Sequence, residues 1–145
     1  MFDPSVGDVR AFFCGAWEKA RAGSPLTPLE VIAVEWIDVH PEYHADLASV
    51  DEAKAREYPP ASGRTNPFLH LSLHLAIAEQ IAIDQPRGIR AASEALQRRT
   101  GSAHDAAHAL LDCLAQAIWQ AQRDRRPIDE TAYRRAILQR AGIDG

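Results

Sequence analysis

The chain has 145 residues and a formal net charge of −4 at pH 7. Hydrophobic residues make up 46% of it and charged residues 25%, which are ordinary values for a globular protein. This balance excludes an intrinsically disordered chain and a disulfide-dense secreted scaffold, and it predicts no nucleic-acid partner. The length predicts a single domain spanning residues 1–145.

The N-terminal residues and the cysteines predict a cytoplasmic protein. Residues 1–5 lack a basic segment followed by an apolar one, so we expect no secretory signal. No stretch approaches the roughly 20 apolar residues of a membrane span, so we expect no membrane partner. Cys14 and Cys113 match no metal or redox motif, which favours free thiols in a reducing compartment.

The first third of the chain predicts three helices. Apolar residues recur at helical spacing from Val9 to Ala20, with Asp8 as a predicted N-cap and Gly23 as a stop. The segment Thr27-Pro28-Leu29-Glu30 is typical of a capping box and predicts a second helix that ends before Pro41. A third helix is predicted to open at Pro41, with His40 near its cap, and to run into the low fifties.

Prolines and cap residues then predict a loop and a buried helix. Residues 58–67 hold three of the nine prolines and are predicted to be a loop, either a lid or a simple connector. Asn66 and Pro67 form an N-cap followed by a proline at the first helical position. The segment from Pro67 to about Asp84 is apolar nearly all round, which predicts a buried central helix at about 67–84.

Three further helices follow in the same way. A more polar helix is predicted to end at about Thr100, before Gly101, and a long helix capped by Ser102 runs to about Arg123. A last helix starts near Asp129 and is ended by Gly142. We find no convincing alternation typical of strands, so the predicted fold is an all-α, compact bundle of about six or seven helices.

The histidines are the most unusual feature of the sequence. All six fall into pairs spaced by four residues, namely His40/His44, His70/His74 and His104/His108. On a helix, residues four apart lie on one face about 6 Å apart, so two imidazoles can share one cation. Each pair could therefore supply half of a tetrahedral metal site. Imidazoles suit zinc, iron, nickel and copper alike, and the sequence does not choose between them.

The surroundings of the pairs differ. His70 and His74 lie within the predicted central helix and should be partly buried. His104 is a weaker candidate than His108 because it falls in the first turn of its helix. Each pair could equally serve structural hydrogen bonding, since buried histidines are often neutral donors to a carbonyl or carboxylate. The carboxylates best placed to complete a site are Asp105 or Asp112, and Glu42 or Asp46.

The common catalytic motifs are missing from the sequence. It contains no His-Glu-x-x-His, no Glu-x-x-His, no glycine-rich phosphate loop and no Gly-x-Ser-x-Gly. A zincin protease, a ferritin-like di-iron centre and an α/β-hydrolase are therefore unsupported. Whether the protein is an enzyme is left open by the sequence.

Long motifs resemble a known family. The run Asn66–Gln80, with the pattern Asn-Pro-Phe-Leu-His-x3-His-x4-Glu-Gln, resembles the signature of an uncharacterised, mostly proteobacterial family of unknown function. Similar segments are Asp84–Ile89, His40–His44, His108 with Cys113-Leu114, and Trp119–Gln122. The resemblance covers nearly the whole chain and implies a small helical fold in a bacterial protein, with no established activity, substrate or cofactor. The family tends to place a glutamate directly before the position of His108, where this chain has Ala107.

Two functional hypotheses follow. The first is a non-enzymatic interaction module that could form a homodimer, with the histidines as hydrogen-bonding or pH-sensitive groups. The alternative is a metal-binding helical protein, in which an open coordination position could support metal-dependent hydrolysis. The metal hypothesis requires imidazoles from two helices to converge within about 4–5 Å. The module hypothesis predicts dispersed pairs and an exposed apolar patch of several hundred Å².

Overall fold

The computed structural model describes residues 6–55 and 66–143. Over these residues the chain forms seven α-helices and one 3₁₀ helix, with no strand, which confirms the predicted all-α fold. The α-helices are α1 (Val6–Ala22), α2 (Pro28–Asp38), α3 (Val50–Ala55), α4 (Pro67–Ile83), α5 (Ile89–Thr100), α6 (Ala103–Asp124) and α7 (Glu130–Ala141). None of the helices in this described part combines the length and apolar character that a membrane crossing requires.

The chain divides into two compact units, residues 1–75 and residues 76–145. We call them unit 1 and unit 2. Helix α4 contributes its first half to unit 1 and its second half to unit 2. The single domain that the length predicts stays a prediction.

Unit 1 is built on α1, which packs against α2 and α3. Its predicted apolar stripe faces the core, since Phe13 and Ala16 are buried and Trp17 is partly buried. Helix α1 begins at Val6, so Asp8 lies in the first turn and does not occupy the N-cap as predicted. The chain turns after α1 at Gly23, whose φ of +71° suits glycine, and this confirms the predicted stop.

The predicted capping box starts α2. The Thr27 hydroxyl accepts a hydrogen bond from the Glu30 N–H at 3.2 Å, and the Glu30 carboxylate accepts one from the Thr27 N–H at 2.9 Å. Lys19 of α1 donates to the same carboxylate at 3.0 Å. These bonds fix the start of α2 and link it to α1. Trp36 and Ile37 lie in the last turn of α2.

The prediction of a third helix starting at Pro41 is wrong for residues 41–49. Only Pro41–Tyr43 forms a 3₁₀ helix, and α3 starts at Val50. The His40 side chain makes no capping hydrogen bond to the backbone that follows it. The backbone instead closes i to i+3 turns, including the bond from the Leu47 N–H to the His44 carbonyl.

Helix α4 begins where Asn66 predicts. The Asn66 side chain accepts hydrogen bonds from the N–H groups of Phe68 and Leu69, at 3.0 and 3.2 Å. Its burial follows one stripe, not the whole circumference as its composition predicts. The buried positions are Pro67, Phe68, Leu71, His74 and Ile77, whereas Leu69 and Ile83 are more than half exposed. The rest of the predicted loop, 58–65, lies outside the described residues.

Unit 2 is formed by α5, α6 and α7, which pack against one another, and by the second half of α4. The predicted caps are confirmed: Ser102 accepts from the Asp105 N–H, and Asp129 accepts from the Ala132 N–H. Gly101 and Gly142 end α5 and α7 with φ of +71° and +73°. The apolar stripe of α6 is buried, with Leu110, Leu111 and Leu114 in the core.

Candidate metal centre

Three elements of unit 1 bring aromatic rings together around histidines. Trp36 lies in α2, and His70 and His74 lie in α4. His40 directly precedes the 3₁₀ helix, and Tyr43 is its last residue. We call these five residues the aromatic–histidine cluster. His74 is fully buried and His40 is 3% exposed, so two imidazoles of the cluster are withdrawn from solvent.

The three imidazole rings of the cluster lie close to one another. Their ring centroids are 4.9 Å apart for His40 and His70, 5.2 Å for His40 and His74, and 4.6 Å for His70 and His74. Imidazoles bound to one metal through bonds of 2.0–2.1 Å have centroids about 5 Å apart. Ring nitrogens of His40 and His74 lie within 4.8 Å of each other. The convergence of two elements that the metal hypothesis requires is therefore present in unit 1.

His70 and His74 face each other through one atom of each ring. Their Nε2 atoms are 3.0 Å apart, and one nitrogen donates to the other. Two nitrogens on one metal ion would be separated by about 2.9 Å in neighbouring octahedral positions and about 3.3 Å in tetrahedral ones. An ion could therefore take the place of the shared proton with little movement of either ring.

A backbone carbonyl sets the tautomer of His40. Its Nδ1 lies 2.7 Å from the carbonyl oxygen of Trp36. Because a carbonyl only accepts, Nδ1 carries the proton, and in the neutral ring the lone pair is on Nε2. A hydrogen bond of this kind orients most histidine metal ligands in proteins. His40 is thus held in the state that a ligand needs.

His44 donates its ring N–H from the other nitrogen. Its Nε2 lies 3.0 Å from the carbonyl oxygen of Ile37 and must donate to it. The ring also packs on Trp17, with centroids 4.4 Å apart. His44 therefore ties the 3₁₀ segment to the end of α2. The structure does not bring it into the aromatic–histidine cluster, although the sequence pairs it with His40.

Two large aromatic rings form walls of the cluster. Trp36 stacks on His74 with centroids 3.9 Å apart and planes 14° apart. Tyr43 stacks on His40 at 5.2 Å and 2°, and its edge meets His70 at 5.9 Å. Burial, and then the charges of Glu42 and Asp46, raise the pKa of the Tyr43 phenol, which is therefore protonated at neutral pH. The two rings help to withdraw His40 and His74 from solvent, whereas His70 is only partly buried.

The third histidine pair lies at the start of α6 in unit 2. The Nε2 atoms of His104 and His108 are 3.2 Å apart, and both side chains are partly buried. This separation also suits two ligands of one ion. Asp105 and Asp112 are exposed, and Asp112 pairs with Arg140 at 3.4 Å. Among the described residues, the group of side chains that could hold a metal ion includes His40 and His74 of unit 1, does not include His70, and contains no carboxylate or thiolate.

A groove of about 700 Å³ lies between α6 and α7 in unit 2, and none of the described residues that line it is a histidine. Its wall includes Cys113 and Tyr133. Burial raises the pKa of both groups, so the thiol and the phenol are protonated at neutral pH. The Tyr133 hydroxyl donates to the Gln80 side chain at 2.7 Å. The groove thus offers no activated nucleophile, and the histidines are the better candidate for chemistry.

All six histidines are candidates from the sequence, but the rings that pack on them are not. Trp36 and Tyr43 are not among the predicted site residues. One signal was available, because Trp36 lies four residues before His40 and can meet it at the end of a helix. The pairing of Trp36 with His74 joins positions far apart in the chain and leaves no local signal.

The comparisons with known proteins identify a family for this chain. Neither the curated proteins nor the solved structures give a significant match. The family model described as "Domain of unknown function (DUF1841)" matches residues 5–139. The chain therefore belongs to this family, DUF1841, over almost its entire length.

Proposed function

We propose that this protein binds divalent transition-metal ions through its histidines. The ligands in unit 1 are His40, His70 and His74, and His104 and His108 form a chelating pair in unit 2. The observation that carries the proposal is the convergence of three imidazoles from two separate elements of unit 1, with centroids 4.6–5.2 Å apart. Imidazole ligands suit zinc, copper, nickel and iron.

The contact of His40 with the backbone is compatible with a ligand role. Its Nδ1 donates to the Trp36 carbonyl, so that in the neutral ring the lone pair that could bind a metal is on Nε2. The buried position of His74 also fits a ligand, since burial in a dry pocket strengthens metal coordination by excluding competing water.

The interaction-module hypothesis predicts dispersed histidine pairs. Within unit 1 the pairs are not dispersed, because His40 joins His70 and His74. We therefore favour metal binding. A homodimer and a protein partner stay predictions, as does a cytoplasmic location. Hydrolysis at the metal also stays a prediction.

The first experiment is elemental analysis by mass spectrometry of the untagged protein, purified without added metal or chelator. We expect near-stoichiometric zinc, copper, nickel or iron in the parent protein. The variant His40→Ala/His74→Ala should lose the metal bound in unit 1, because two of the three ligands there are gone. The variant His104→Ala/His108→Ala measures the contribution of the pair in unit 2, and we expect its metal content to fall as well.

The matched control is His44→Gln. It removes an imidazole four residues from His40 but keeps a side-chain N–H for the Ile37 carbonyl, so its metal content should equal that of the parent. Circular dichroism of every variant separates loss of metal from loss of helix. A parent protein without metal, whose melting temperature is also unchanged by zinc or nickel, would contradict the proposal.

A further inference from the structure

Helix α2 presents an apolar and acidic face to solvent. Its sequence contains three acidic residues and no lysine or arginine. Val31 and Val39 are 42% and 44% exposed, and the exposed Glu35 lies between them at a spacing of four residues on either side. Side chains at this spacing share one face of a helix, and at 1.5 Å per residue the three span about 12 Å. We call Val31, Glu35 and Val39 the α2 row.

The carboxylate of Glu35 is not used within the described part of the chain. Glu30 of the same helix accepts hydrogen bonds from the Thr27 N–H and from Lys19. No described residue forms an ion pair with Glu35. The α2 row therefore offers one unpaired negative charge between two apolar side chains, and it suits a partner that carries a cation on an apolar surface.

The end of α6 carries a shallow depression with the opposite charge. The depression has a volume of about 540 Å³, and the described residues that line it include two arginines and no acidic residue. Its apolar lining is formed by Ile118 and Ala121 of α6 and by Pro127 and Ile128, which follow the helix. We call it the α6 depression. It combines positive charge with apolar surface, as the α2 row combines negative charge with apolar surface.

The two arginines of the α6 depression, Arg125 and Arg126, have side chains that are available to a partner. Their backbone N–H groups bond to the carbonyls of Gln122 and Ala121, so the end of α6 is capped without the guanidinium groups. Both residues are exposed, and neither forms an ion pair with another described residue. A pocket for a small molecule would enclose its ligand, whereas this open surface suits another protein surface.

We propose that the α2 row of one copy of this chain binds the α6 depression of a second copy. Glu35 pairs with Arg125 and Arg126, and the two valines pack on the apolar lining. The charge complementarity of the two faces, which belong to the same sequence, identifies the second copy as the partner. Because the two faces differ, the contact is heterologous, and each copy can bind one neighbour through each face.

The first test is sedimentation velocity of the full chain over about a hundredfold range of protein concentration. The buffer contains EDTA, because neither face includes a histidine and the contact needs no metal. We expect the weight-average sedimentation coefficient to rise with protein concentration at low salt. The rise should be smaller at high salt, since the contact depends on exposed charges that ions screen.

Two charge-reversal variants test which faces meet. Glu35→Arg alters the α2 row, and Arg125→Glu/Arg126→Glu alters the α6 depression. Each variant alone should self-associate at least about tenfold more weakly than the parent, because like charges face each other. An equimolar mixture of the two should associate again, because the intact α2 row of one variant can bind the intact α6 depression of the other.

The matched controls reverse exposed charges outside both faces. Glu18→Arg on α1 and Arg135→Glu on α7 should self-associate as the parent does, within about twofold. Circular dichroism shows whether each variant keeps its helices.

Three results would overturn the proposal. The first is a parent chain that stays monomeric at low salt and at the highest concentration. The second is undiminished self-association of both folded reversal variants, which would place the contact elsewhere. The third is a mixture of the two variants that does not associate, which would exclude a contact between these two faces. Metal binding is measured separately by elemental analysis, so none of these results bears on the proposed function.

Discussion

The same sequence spacing leads His40 and His44 to different roles. Each donates one ring N–H to a backbone carbonyl at the end of α2, but His40 does so from Nδ1 and His44 from Nε2. The choice of nitrogen decides which atom of the ring can act as a ligand. The spacing in the sequence identifies both residues as candidates, and only the placement of the carbonyls of Trp36 and Ile37 distinguishes them.

Glu30 is the residue whose charge most clearly supports unit 1. The Thr27 N–H, and then Lys19, lower the pKa of its carboxyl group. A lowered pKa in the folded state means that the charged form stabilises the fold above the ordinary glutamate pKa of about 4.3, and that this stability is lost as the pH falls through the folded pKa.

We therefore predict that Glu30→Gln is less stable than the parent at pH 7 and that the difference disappears near pH 3. Glutamine keeps a side-chain oxygen for the Thr27 N–H, so the variant removes the charge and little else. Urea unfolding at the two pH values, followed by circular dichroism, measures the difference. An unchanged gap in the urea midpoint at pH 3 would show that the charge is not its source.

At the scale of elements, local signals predict helix ends well. Thr27, Asn66, Ser102 and Asp129 all cap the helices that the sequence assigns to them, because a cap depends on a few neighbouring residues. The helix predicted to start at Pro41 does not form as predicted, because neighbouring residues alone do not set the path of this segment. Its path depends on where His40 and His44 find carbonyls, and these bonds form only when the end of α2 is in place.

The ends of α5 and α7 provide a matched pair of glycines. A Cβ at Gly101 would meet no atom within 4 Å, whereas one at Gly142 would lie 2.6 Å from the Arg99 guanidinium. Arg99 donates to the carbonyls of Arg140 and Ala141, both at 3.0 Å, and so covers the end of α7.

We predict that Gly101→Ala destabilises the protein by about 1–2 kcal/mol, the cost of a left-handed conformation for alanine. Gly142→Ala should cost roughly 1 kcal/mol more, because Arg99 must also give up its hydrogen bonds. Chemical denaturation compares the two variants. In the background Arg99→Ala the extra cost should vanish, and its persistence there would show that Arg99 is not the cause.

At the scale of the whole molecule, metal binding should appear as stability. An ion that binds only the folded chain raises its free energy of unfolding by about 2.7 kcal/mol at a free concentration 100 times Kd. For a chain of this size that corresponds to a rise in Tm of about 5–10 °C.

Differential scanning calorimetry with zinc or nickel at pH 7.5 measures this effect. His40→Ala/His74→Ala should show a smaller rise at pH 7.5, and His44→Gln should behave as the parent. A Tm that responds to metal equally in all three proteins would place the binding elsewhere on the chain.

The fold class of the whole chain could be predicted from periodicity and caps, but the cluster could not. His40 and His74 are separated by 34 positions, and no local rule brings them together. Their meeting depends on tertiary contacts between residues far apart in the chain, such as the stack of Trp36 on His74. The spacing of the histidine pairs predicted the candidate ligands, and tertiary packing determined which of these side chains lie close together.

The stack of Trp36 on His74, at 3.9 Å and 14°, also makes the protein its own optical probe. An indole in contact with a ligand ring loses its fluorescence when a paramagnetic ion such as Cu²⁺ or Ni²⁺ binds beside it. Trp119, which is 53% exposed in unit 2, emits at longer wavelength and provides an internal reference. Emission at the blue edge of the spectrum, to which the partly buried Trp17 also contributes, should therefore decrease when the cluster is occupied, without any added label.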